Sequence, residues 1–199
     1  DINGAMKCLA QQDQLNSITR SIEELTEACE NNFSRVIQGQ RDDRLAMVLS
    51  SRDSLLQGLV MMDAENQRQM LAHALVQANQ ARGQLAYQVA ADIHELDGEK
   101  PLKTKKMAEV VHSINSGIAA MNGAVQLSVF ASQALGEFQA QQAVVVSHRA
   151  FVRQVLLKKI SHEGRSQTAW DLVVSSGDGK VTAEEQRTLP TRLITAYGS

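Results

Sequence analysis

The stretch Asp97-Gly98-Glu99-Lys100-Pro101 constrains this chain more than any other. Glycine can adopt the left-handed conformation that closes a helix, and proline cannot continue one. Lys100, next to the proline, is driven towards extended geometry. The turn separates two apolar rhythms. After it, Met107, Val111, Ile114, Ile118, Met121, Val125 and later Leu135 recur at alternating spacings of three and four. Before it, Leu71, Leu75, Ala78, Leu85, Val89 and Leu96 do the same, interrupted by Arg82 and Asp92. Leu45, Leu49, Leu56 and Leu59 continue the series further back. Each rhythm is one face of a helix. The reading is two arms of about 55 residues, roughly 80 Å each at 1.5 Å per residue. A short connection between long apolar stripes favours antiparallel packing. The window Asp63 to Gln69 holds only Ala64 as an apolar residue, so the near arm either breaks there with Asp63 as a new N-cap or changes twist.

The far arm is poor in charge: between Glu109 and Arg149 it carries only Glu137. Small residues crowd its middle, from Ser113, Ser116 and Gly117 to Ala119, Ala120, Gly123 and Ala124. A glycine inside a helix costs about 1 kcal/mol relative to alanine, so two within seven residues imply that another backbone approaches closely. A central helix covered on several sides satisfies this pattern. A membrane-inserting hairpin fits less well, because Asn115, Asn122, Gln126 and Gln133 interrupt the span.

Composition agrees with an all-α chain. Proline occurs twice among 199 residues, and the formal charge of −2 provides no basic field for nucleic acid. No strand is assigned. Residues 5–38 read as a further amphipathic helix through Leu15, Ile18, Ile22 and Leu25, followed by a loop at Gly39-Gln40-Arg41-Asp42-Asp43 with Asp42 or Asp43 as N-cap. The expected fold is an elongated antiparallel three-helix bundle over 1–160, with helices near 5–38, 43–96 and 103–160. A small helix-loop-helix appendage occupies 161–199, and His162-Glu163-Gly164-Arg165-Ser166 is expected to end the long helix.

Cys8 and Cys29 share the first helix's seam, 21 residues apart. In a continuous helix they lie about 30 Å apart and cannot bond within one chain. Buried thiols, or Cys8 paired with Cys29 of a second copy in a homodimer, are the readings this leaves. A fold in the helix before Asn16 would permit an internal bond and imply an oxidising compartment.

Near the C-terminus, Ala169 to Glu185 resembles an EF-hand, with the likeness running from Trp170 to Glu185 and most specific after Asp178. Gly179 stands at the sharp turn, Val181 at the following apolar position and Glu185 at the twelfth. The resemblance implies calcium ligands at Ser176, Asp178, the Lys180 carbonyl, Thr182 through a water, and Glu185. Val174 replaces the usual first aspartate and Ser176 takes the third position, so the implied site is weak. No other cofactor is implied.

The five histidines form no HxxxH or HExxH pair, and no serine or cysteine joins a histidine and a carboxylate in a nucleophilic motif. The sequence therefore reads as a non-enzymatic interaction protein. In outline it resembles helical-bundle components of bacterial secretion, conjugation and surface assemblies. The absence of a starting methionine leans the expected location to the periplasm or exterior. The expected partner surface is the hairpin tip, Lys100, Lys103, Lys105 and Lys106, where positive charge opposes the helix dipole and would suit an acidic protein or lipid headgroup. Glu95, Asp97 and Glu99 are available to neutralise it. Arg149, Arg153, Lys158 and Lys159 are expected at the opposite end. Two alternatives are an extracytoplasmic sensor binding a small ligand through Asn115, Asn122, Gln126 and Glu137, and a membrane-active helical toxin.

Overall fold

The structure is a computed structural model that describes residues 38–98 and 102–175. Four helices dominate: α1 Gln38–Val60, α2 Ala64–Leu96, α3 Thr104–Leu135 and α4 Phe138–Phe151. A π-helical turn, Val152–Leu156, continues α4 and closes with Leu157 N–H donating to Val152 O at 3.0 Å. An antiparallel ribbon follows, β1 Lys159–His162 paired with β2 Arg165–Thr168, and then a short helix α5, Ala169–Ser175. The described residues are predominantly helical, with one small two-stranded ribbon.

Several boundaries differ from those the sequence led us to expect, each for a local reason. The near arm breaks at Met61–Asp63. Asp63 is the N-cap of α2: its Oδ1 accepts the Asn66 N–H at 2.8 Å, and its carbonyl accepts the Gln67 N–H at 2.9 Å. Residues 39–43, expected as a loop, lie inside α1. No proline forbids helix there, and one glycine costs only about 1 kcal/mol.

The expected helix over 103–160 is interrupted at Gly136. Its φ of 74° is open to glycine without a side-chain clash. Glu137 N–H reaches back to Ser132 O at 2.8 Å and Gly136 N–H to Gln133 O at 3.1 Å, the paired bonds of a Schellman closure. The segment expected to end the long helix instead turns a β-hairpin. Glu163 and Gly164 both have positive φ, 50° and 75°, as a type I′ connection requires. Gly98, expected to be left-handed, is not. It forms a parallel bridge with His162 instead.

The chain divides into two compact units. The first contains residues 38–82 and 119–137. Its buried side chains include Val48, Leu55 and Leu71, the alanines at 74, 78 and 81, and Met121, Leu127 and Phe130 from α3. Polar ties cross between its helices. Ser51 Oγ donates to Ala74 O at 2.8 Å, Ser54 Oγ to Gln77 Oε1 at 3.1 Å, and Gln77 Nε2 to Ser50 Oγ at 3.1 Å. Ser128 Oγ donates to Ala124 O at 2.9 Å, with Asn79 Oδ1 3.3 Å away.

The second unit contains residues 83–98, 102–118 and 138–175. Its core is a continuous apolar cluster. Val89, Ile93 and Leu96 of α2 meet Val110, Val111, Ile114 and Ile118 of α3, and Val152, Leu156, Ile160, Trp170 and Leu172 complete it. Burying each large aliphatic side chain contributes about 1.5–3 kcal/mol. Gly117 allows this packing: a Cβ there would lie 2.6 Å from Val89 Cγ2. The small residues led us to expect a neighbouring backbone, but at Gly117 the close neighbour is a valine side chain. α3 as a whole is long and apolar enough to cross a membrane by composition, yet 56% of its most apolar window is buried inside the protein.

Candidate interaction site

The end of the second unit is built where α2 stops. A helix terminus leaves carbonyls without intrahelical donors. Here β1 supplies one and joins the turn alongside. His162, almost fully buried, places Nδ1 3.0 Å from Leu96 O. A carbonyl only accepts, so Nδ1 carries the proton. Gly98 N–H donates to Ser161 O at 2.9 Å, and Ser161 N–H donates to Asp97 Oδ1 at 2.9 Å. Asp97 Oδ2 lies 3.8 Å from Lys158 Nζ. The ribbon therefore stitches the end of α2 in place from three successive residues, Leu96 to Gly98. Lys158 was expected at the opposite end from the tip. The turn at Gly136 reverses the chain and returns it to Asp97.

The lysines follow on the first turn of α3. Lys106 Nζ pairs with Glu95 Oε1 at 3.0 Å. This hydrogen bond, with the negative charges of Glu95, Glu109 and Asp92, holds the Lys106 ammonium above its ordinary pKa of 10.5. Lys103 and Lys105 are exposed and form no ion pair with a described residue. Two neighbouring acids are already engaged, Glu95 by Lys106 and Asp97 by Ser161 and Lys158, and Glu99 lies outside the described residues. Lys100 lies outside the described residues.

Behind this end sits a polar group that sequence reasoning did not assign to any site. Asp92, buried, accepts hydrogen bonds from Ser113 Oγ of α3 and from Gln88 Nε2, the latter at 2.6 Å. Its signal was visible as the polar interruption of the α2 stripe. A buried carboxylate with directional partners on both helices fixes their register, since a slip leaves it unpaired.

The other candidate residues are dispersed. Asn115 is exposed in the second unit. Gln126 and Asn122 are half-buried in the first, on the same stripe of α3. Asn122 Oδ1 is itself buried without a hydrogen-bond partner, as is Ser132 Oγ. Glu137 is exposed and lies 3.7 Å from Arg68, an ion pair worth about 0–1 kcal/mol at the surface. Ser176, Asp178, Lys180, Thr182 and Glu185 of the EF-hand-like loop, and Cys8 and Cys29, lie outside the described residues. Among the described residues no cluster of three or more His, Cys, Asp or Glu is placed to hold a metal ion.

Compared with known protein families, characterised proteins and solved structures, the chain matches none.

Proposed function

We propose that this is a non-enzymatic helical-bundle interaction protein whose lysine-bearing end contacts an acidic protein surface, as a component of an extracytoplasmic assembly. One observation carries the reading. Lys103 and Lys105 project from a helix start where the dipole disfavours them, while nearby Glu95 and Asp97 are committed to other partners. Placing two ammonium groups there costs a few tenths of a kcal/mol each in the free protein. An acidic partner recovers that cost on binding. The β1 stitching to Leu96, Asp97 and Gly98 holds the adjoining end of α2, so little ordering remains to be done on contact.

The test is salt-dependent retention on immobilised polyglutamate, as a stand-in for an acidic protein surface. Wild type should be retained at low salt and released as salt rises. The double variant Lys103→Glu/Lys105→Glu should flow through, whereas Arg68→Glu, an exposed cation of the first unit, should behave as wild type. Equal retention of all three proteins would refute the reading.

A second reading, a small-ligand receptor, is favoured by the orphaned Asn122 Oδ1. An unsatisfied buried acceptor costs about 1–3 kcal/mol unless something donates to it. If a ligand does so, thermal-shift screening will find a stabilising compound whose effect disappears in Asn122→Leu. If no compound does so and Asn122→Leu alone raises Tm, the acceptor is only an internal cost and this reading falls.

A further inference from the structure

Independently of the lysine end, we infer a soft-metal site at the break between α1 and α2, selective for a monovalent thiophilic cation, Cu(I). Three of the chain's seven methionines fall between positions 61 and 70. Met61, Met62 and Met70 line one open pocket of about 390 Å³ together with His73. Asp63, Asn66 and Gln69 complete the lining. Met62 is fully exposed and Met61 and Met70 are half-buried, so these thioethers are not filling the core. Met70 and His73 are one turn apart on α2 and share a face.

The donor set decides the class of ion. Three thioethers and one imidazole are neutral and soft, the combination that suits Cu(I). A hard divalent cation requires carboxylate or carbonyl oxygens. The one carboxylate here, Asp63, already uses Oδ1 to cap α2 through the Asn66 N–H at 2.8 Å. Zinc sites are built from thiolate, imidazole and carboxylate, and a single imidazole beside thioethers does not supply one. The connecting backbone is held at Met61. Its N–H donates to Gly58 O at 3.3 Å, and its carbonyl accepts from Gln67 Nε2 at 3.4 Å. That anchorage leaves the flexible methionine side chains to close around an ion without remodelling the chain.

The experiment is an anaerobic titration of the full chain with Cu(I) against a chromophoric competitor such as bicinchoninate. It uses a Cys8→Ser/Cys29→Ser background so that thiols contribute nothing. One equivalent should bind, and X-ray absorption should show sulfur with one nitrogen-type scatterer. Met62→Leu/Met70→Leu keeps side-chain volume and should abolish uptake, as should His73→Gln combined with Met62→Leu, with circular dichroism unchanged. Failure of the cysteine-free protein to take up Cu(I) would overturn the site. So would uptake that survives both combined variants; the exposed methionines would then be an apolar contact surface.

Discussion

The two compact units are crossed by the same two helices, α2 and α3, yet their interiors differ in kind. In the second unit Val89, Ile93, Ile114, Ile118, Leu156 and Trp170 pack as one apolar cluster, and its buried Asp92 has partners on both helices. In the first unit buried alanines and serines are interspersed with Val48, Leu55, Leu71, Met121, Leu127 and Phe130. Ser51, Ser54, Ser128 and Ser132 lie inside, and Ser132 Oγ and Asn122 Oδ1 have no partner. Large aliphatic contacts give the second unit strong, shape-specific cohesion. The first buries large side chains too, but more of its interior is alanine and serine, tied by hydrogen bonds each with a net worth of only about 1 kcal/mol. A helix pair can therefore stay continuous while its stability changes along its length.

Substitutions can break or sharpen this contrast. The largest effect should come from Ile114→Ala, which empties a fully buried site in the second unit and should cost about 2–5 kcal/mol. Urea unfolding followed by the fluorescence of Trp170, in the same cluster and the chain's only tryptophan, measures it. Gly117→Ala comes next. It drives a methyl group into Val89, at a cost of about 1–3 kcal/mol from overpacking, offset in part by about 1 kcal/mol of helix propensity. Val89→Ala in the same chain should relieve the clash, and a double-mutant cycle reads that coupling.

In the first unit the sign should reverse. Ser132→Ala removes an orphaned hydroxyl from a helix and should stabilise by about 1 kcal/mol, seen as a raised midpoint in far-UV circular dichroism. Gly83→Ala, at an exposed helical position where the second unit begins and with nothing within 4 Å of the new methyl, should add about 0.5–1 kcal/mol through helix propensity alone. The smallest effect concerns pH. Because the folded pKa of Lys106 is raised above 10.5, its pairing with Glu95 contributes fully at neutral pH and is lost only as pH rises through that folded value. An exposed pair of this kind is worth under about 1 kcal/mol. Lys106→Met should therefore lower stability slightly at pH 7 and leave it unchanged at strongly alkaline pH.

Much of this organisation was legible in the chain. The stripes through Leu71–Leu96 and Met107–Val125 located α2 and most of α3, and Asp63 with a polar first turn offered the break as one of two readings. The reversal at Gly136 was missed because apolar spacing continues to Leu135 and no proline marks the site. The signal was a glycine beside Glu137, the only charge in a stretch of forty residues. The hairpin was missed because its strands are four residues long and its turn uses Glu163, where most I′ connections use asparagine or aspartate. At the candidate site, the lysines were visible as charge against a helix dipole. Which acids are left to neutralise them depended on Ser161 and Lys158, which take Asp97 from more than sixty residues away and leave no local trace.

The claim that most needs testing is that the lysine-bearing end stands on the more cohesive unit. Amide hydrogen exchange on the full chain, read by mass spectrometry, reports both units in one experiment. The account predicts slow exchange across 86–96, 107–118 and 152–162 and measurably faster exchange across 119–135, although α3 is one unbroken helix. Uniform protection along α3, or faster exchange in its lysine-bearing half, would contradict it and would remove the rigid platform on which the proposed contact depends.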